Sequence, residues 1–169
     1  MALLGLASAA TVKDCGAGNS LFKIQGLGLT PTNPSPGQDV TLHLEYDVPE
    51  GTLITGGTTT YAVTLNFIPF QPSTEPLCQD IPCPLGPGSY KNDTVSAWPT
   101  GISGTFTSKM TWADEAGTQL LCVQISGSLA GAANSTALVV RQPQHTPFGA
   151  PVNATEVATA PKKRGNLRK

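Results

Sequence analysis

Val40-Thr41-Leu42-His43-Leu44-Glu45-Tyr46-Asp47-Val48 is the stretch on which the fold turns. Apolar side chains occupy every even position and polar ones every odd position. A period of two places all the apolar groups on one face of an extended chain, the mark of a half-buried β-strand. The same alternation recurs in Tyr61, Val63, Leu65 and Phe67, in Phe106, Met110 and Trp112, and in Val123, Ile125 and Leu129. It is less clean from Leu21 to Leu29, and Tyr90 to Trp98 reads as a polar strand. Turn residues separate these runs: Pro31 to Gly37, Pro49-Glu50-Gly51, Gly56-Gly57, Gly86-Pro87-Gly88, Pro99 to Gly101, and Glu115-Ala116-Gly117. Six or seven strands so spaced predict an antiparallel β-sandwich. No amphipathic helix is evident.

Composition agrees with this class. The 169 residues include 18 glycines and 15 prolines, and only 12% are charged, about half the share of an ordinary soluble domain. No run of about 18 apolar residues is present to form a membrane-spanning helix. The formal net charge of −1 gives no electrostatic footprint for nucleic acid. That value hides a split. Residues 161–169 hold five basic residues and no acid, whereas residues 1–160 hold 5 basic and 11 acidic residues, a net of −6.

The two ends differ from the middle. Residues 1–10 are short and apolar and finish in Ala7-Ser8-Ala9, a small-x-small pattern of the kind signal peptidase accepts, so they are expected to be the remnant of a signal peptide. Residues 11–130 form the expected domain. Residues 131–169 are rich in Pro, Ala, Thr and Asn, lose all apolar periodicity, and are expected to be a disordered tail with a basic end. Solvation is the plain reading of that end; contact with acidic lipid headgroups is the functional one.

Four cysteines allow three pairings. Cys78 and Cys83 enclose four residues, which suits a small loop staple, and Cys15 would then join Cys122 across most of the domain. Neither the cysteine spacing nor the two histidines fit a metal site. Nothing calls for a cofactor. His43 lies on the polar side of a strand, no Gly-x-Ser-x-Gly elbow occurs, and the glycines sit in turns rather than in a phosphate-cradling loop, so an enzyme is not expected. Asn92, Asn134 and Asn153 head Asn-x-Thr sequons and are glycosylation candidates in a secretory chain.

Several of these residues together resemble the ML-domain (lipid-recognition) family, which includes Niemann–Pick type C2 sterol carriers and fungal phosphatidylglycerol/phosphatidylinositol transfer proteins. They are Lys13-Asp14-Cys15-Gly16, Pro36-Gly37-Gln38, Cys78 with Cys83-Pro84-Leu85, Gly88-Ser89-Tyr90, Trp112, and Leu120-Leu121-Cys122-Val123-Gln124-Ile125. The resemblance covers roughly residues 12–130. It implies an immunoglobulin-like sandwich with a lipid cavity between its two sheets, and the pairings Cys15–Cys122 and Cys78–Cys83. The sterol carriers commonly have a third disulfide between the first two strands; here Leu29 to Pro36 contains three prolines and no cysteine, which weakens an assignment to cholesterol.

The inward sets give the candidate lining: Leu44, Tyr46, Val63, Leu65, Phe67, Phe106, Met110, Trp112, Val123 and Ile125. The same alternation describes any sandwich core, and it is the resemblance that makes it a cavity. By that resemblance Phe70, eight residues before Cys78, falls at a portal, with Trp98 near the facing loop. The expected function is binding and intermembrane transfer of a sterol or phospholipid, without covalent chemistry, by a monomer that touches membranes transiently in a secreted or endolysosomal/vacuolar lumen. The alternative is an immune lipid-recognition module, or an elicitor- or allergen-type protein, that holds lipid without transferring it.

Overall fold

The computed structural model describes residues 9–129. Residue 130, the expected tail at 131–169 with Asn134 and Asn153, and all but two residues of the expected signal remnant lie outside that range.

Nine strands are present among the described residues. They are β1 (Thr11–Asp14), β2 (Lys23–Thr30), β3 (Asp39–Val48), β4 (Thr58–Leu65), β5 (Ile68–Pro69), β6 (Ser73–Pro76), β7 (Gly88–Ala97), β8 (Gly104–Ala113) and β9 (Gln119–Leu129). All pairings are antiparallel. One sheet runs β1-β9-β8-β4-β5, with β6 also paired to β4; the other runs β2-β3-β7. β1, β5 and β6 are too short to show an alternation, which is why the sequence gives no sign of them.

The alternation of Val40–Val48 is realised in full. Val40, Leu42, Leu44, Tyr46 and Val48 are all buried on β3. Residues directly opposite in an antiparallel pair share a face, so the ladder extends this inner face strand by strand. In the large sheet the inner face carries Thr59, Tyr61, Val63 and Leu65 of β4, Phe106, Ser108, Met110 and Trp112 of β8, and Leu121, Val123 and Ile125 of β9. In the small sheet, β7 presents Asn92, Thr94 and Ser96 opposite Leu44, Leu42 and Val40. The polar strand therefore turns hydroxyl and amide groups inward.

Aromatic packing closes both ends of the sandwich. At one end Tyr46 stacks between Phe22 and Tyr90, with ring centroids 5.4 and 5.8 Å away, and meets Trp112 edge-on at 5.6 Å. At the other end Trp98 meets Phe106 edge-on at 4.9 Å. Such geometries suit the ring quadrupoles. Trp98 also covers Gly127, where an added Cβ would lie 2.9 Å from the indole ring, so only glycine fits there.

Two disulfides are present, Cys15–Cys122 and Cys78–Cys83. The first fixes β1 to β9, beside a backbone hydrogen bond of 3.0 Å from Cys15 N–H to the Cys122 carbonyl. The second closes a loop whose Leu77, Ile81 and Leu85 are buried in the core. β1 lies against β2 and shuts one edge between the sheets; among the described residues, β7 makes no comparable approach to the large sheet at the opposite edge.

Candidate functional site

The inner face is not uniformly packed. Leu44, Tyr46, Phe106, Met110, Trp112 and Val123 belong to the buried core. Val63, Ser108 and Ile125 form a row directly across β4, β8 and β9, and Val12 of β1 continues it. All four are only half-buried. β8 is flanked by strands on both sides, so the partial exposure of Ser108 is not that of a sheet edge. Leu65, also inward, is half-buried as well, and Thr94 and Ser96 on β7 share this property. The half-buried members of this inner face are aliphatic side chains with a few hydroxyls, the kind of groups that line lipid and small-molecule sites.

Three positions differ from the expectation. Phe67 is not a lining residue: it is 89% exposed. The alternation along β4 stops at Leu65 because Asn66 and Phe67 form a two-residue hairpin turn, with φ of 49° and 67°. Trp98 is not on an exposed rim: it is 5% exposed, because the Trp98 backbone pairs with Gln38 and Gly37 and its ring packs on Phe106. Asn92 is 6% exposed and its amide donates to the Asp80 carbonyl at 3.1 Å; the inner face of β7 leaves no path for a glycan on that nitrogen. Phe70 is 43% exposed. Ile68 pairs with Leu65, and alternation puts Phe70 on the same face, at the β5 edge of the large sheet.

Asp80 had no sequence signal and proves central to that edge. The loop closed by Cys78–Cys83 carries it inward, where it is buried. Its carboxylate accepts hydrogen bonds from the Thr59 and Tyr61 hydroxyls of β4, and its backbone carbonyl accepts from Asn92 of β7. One residue thereby ties both sheets together where strand contacts are lacking. Burial, and then the negative charges of Asp80 and Glu75, hold the Tyr61 hydroxyl well above the usual phenol range, so it stays a donor. Asp80→Ala strands the buried Thr59 hydroxyl and is expected to cost about 1–3 kcal/mol. Urea unfolding reads this directly; Asp80→Asn, which keeps an acceptor, should lose less.

His43 lies elsewhere, on the outer face of the small sheet. Its Nδ1 is 2.8 Å from Asp93 Oδ1 and its Nε2 is 3.0 Å from Thr30 Oγ1. This carboxylate–imidazole–hydroxyl chain spans three strands of an exposed sheet face.

Comparison with known proteins agrees with this geometry. The ML-domain family model matches residues 9–129, all the described residues. A Dictyostelium discoideum protein assigned as a phosphatidylglycerol/phosphatidylinositol transfer protein is 27% identical over 120 residues, 69% of this chain and 84% of that relative. A phosphatidylglycerol/phosphatidylinositol transfer protein of Mycosarcoma maydis is 27% identical over 122 residues, 67% of this chain and 62% of its own length. Among solved structures, chicken MD-1 complexed with lipid IVa superposes with a TM-score of 0.52 at 9% identity, over 74% of this chain and 92% of that one. A Niemann–Pick type C2 protein from the Japanese carpenter ant gives 0.53 at 13% identity, over 71% and 99%. These two likenesses establish the shared sandwich fold.

Proposed function

The chain belongs to the ML-domain family, and from that premise we propose that it binds a lipid between its two sheets and transfers it between membranes. The observation that carries this reading is the half-buried row Val63–Ser108–Ile125 in the middle of the large sheet's inner face. A closed core would leave no accessible surface there. An aliphatic chain laid along this row gains about 0.8 kcal/mol per methylene removed from water, enough for firm binding without specific bonds. The polar groups within reach of the gap are few. Thr94 and Ser96, half-buried on β7, offer hydroxyls.

The named relatives support a transferred phospholipid, and the sandwich shared with a lipid-IVa complex supports the location between the sheets. In this reading Phe70, 43% exposed at the β5 edge of the large sheet, serves as the portal residue. Two disulfides fit an oxidising compartment, and a secreted or endolysosomal/vacuolar lumen is the corresponding location for a carrier that acts as a monomer and meets membranes transiently.

The test is lipid extraction and native mass spectrometry of the protein purified under non-denaturing conditions, followed by displacement of fluorescent sterol and fluorescent phospholipid. A copurifying lipid and saturable displacement of one probe are expected. A protein free of lipid that displaces neither probe overturns the reading. Transfer between donor and acceptor liposomes at catalytic protein amounts separates a carrier from a protein that only holds lipid.

A further inference from the structure

We propose that the tip of the β4–β5 hairpin is the element that docks on a lipid bilayer, with Phe67 as its inserting side chain, and that docking needs no anionic headgroup. The purpose of this docking rests on the lipid-transfer reading, although its test does not.

The first observation is exposure. Phe67 is 89% exposed, Ile68 66% and Phe70 43%, and they are contiguous with Pro69. A patch of this kind on a soluble domain marks an interaction site.

The second observation is conformation. Both turn residues have positive φ, 49° at Asn66 and 67° at Phe67. Two-residue hairpins with this backbone favour Asn-Gly. Asn66 fits the rule, but Phe67 stands where glycine would cost least, and a bulky side chain at positive φ is a strained choice. The strain is held in place by neighbours. Asn66 N–H donates to the Thr105 carbonyl at 2.8 Å, its side-chain amide donates to the Ser103 carbonyl at 3.0 Å, and its Oδ1 accepts from Thr105 N–H at 3.0 Å. Gly104, with φ of 113°, leaves room for this clamp, since an added Cβ would fall 1.8 Å from Asn66 Oδ1. The result is a rigid turn that presents a phenyl ring to the outside.

The third observation selects the partner. Residues 66–74 contain no charged side chain, so the tip offers nothing to a charged protein surface or to an acidic headgroup. Pro69 and Pro72 lack backbone donors, which suits an edge that does not recruit another strand. In a bilayer interface the same lack is an advantage, because unsatisfied N–H groups there are costly, and aromatic side chains are favoured at that depth. Ile68 faces the same side as Leu65, and Phe70 N–H bonds to the Val63 carbonyl at 2.8 Å. The patch therefore continues along the β4–β5 edge of the large sheet beside the proposed lipid site, and a docked tip sets that edge against the lipid.

The experiment uses the full chain and vesicles of phosphatidylcholine alone, with co-flotation at low and high salt. Wild type is expected to float to the same extent at both. Phe67→Gly is expected to raise the thermal midpoint, since glycine relieves the positive φ, while reducing the vesicle-bound fraction about tenfold through loss of one buried aromatic side chain. Phe67→Trp should float and show a blue-shifted indole emission with vesicles. The proposal is overturned by flotation that disappears at high salt, by Phe67→Gly floating as wild type does, or by a Phe67→Gly protein less stable than wild type. A Phe67-dependent dimer in sedimentation without vesicles assigns the patch to a second copy and overturns it too. Docking without lipid uptake sinks the carrier reading alone; lipid uptake without docking sinks this proposal alone.

Discussion

Replacing Cys15 and Cys122 together by serine is expected to lower stability by about 4–5 kcal/mol. The two cysteines are separated by 107 residues. In the chain-entropy account the cross-link acts on the unfolded ensemble, and its worth grows with the logarithm of the loop it closes. A domain of this size has a total stability of order 5–15 kcal/mol, so the double variant should be close to unfolding at body temperature. The internal comparison is the double serine variant of Cys78 and Cys83, separated by 5 residues. The same relation gives it only about 2 kcal/mol, and its effect should fall on the loop that carries Asp80. Urea midpoints at constant slope measure both. Equal losses for the two variants would contradict the entropic account and point to local contacts instead.

Filling the gap between the sheets should abolish lipid binding and leave the fold intact. Ser108→Trp is the sharpest such change. Ser108 sits on the inner face of β8, between Val63 and Ile125 and flanked by paired strands. If the space next to it accepts an acyl chain or a sterol ring system, it accepts an indole, and the ligand then has nowhere to lie. Probe affinity is expected to drop more than tenfold, which needs only about 1.4 kcal/mol of lost contact, while the urea midpoint stays unchanged or rises. In a close-packed core the same insertion would force neighbours off their rotamers and cost about 1–3 kcal/mol. The two pictures therefore predict opposite signs for stability. A destabilised Ser108→Trp protein with unaltered probe binding would remove the gap from the functional account.

Much of the fold is legible in the sequence, and the reasons are local. The even-numbered apolar residues from Val40 to Val48 can be hidden together only by a strand with one buried face, and β3 does this. The short spacing of Cys78 and Cys83 points to their pairing, and that pair leaves Cys15 for Cys122. The failures have physical causes of the same specificity. Alternation carries Phe67 inward only if the strand continues. The chain instead turns at Asn66, whose side chain can bond β8 only once β8 lies beside it. Trp98 looks like a rim residue next to Pro99, but the glycine at position 127 of a distant strand opens a seat for its ring. Asn92 reads as a sequon in a polar strand, whereas pairing with Leu44 turns it to the interior.

The sequence by itself determined the period-two strands, the antiparallel sandwich class and the family resemblance. These depend on neighbours within a few residues and on the order of motifs along one chain. Only the tertiary structure decided which inward residues are fully buried and which stay half-buried, because that depends on how closely the two sheets approach. Leu44 and Ile125 look alike in an alternating pattern, yet one is buried in the core and the other is only half-buried against it. Tertiary structure also decided that Asp80 clasps β4 to β7 and that Phe67 points away from the protein. Both follow from hydrogen bonds between segments distant in sequence, whose joint geometry no periodicity records.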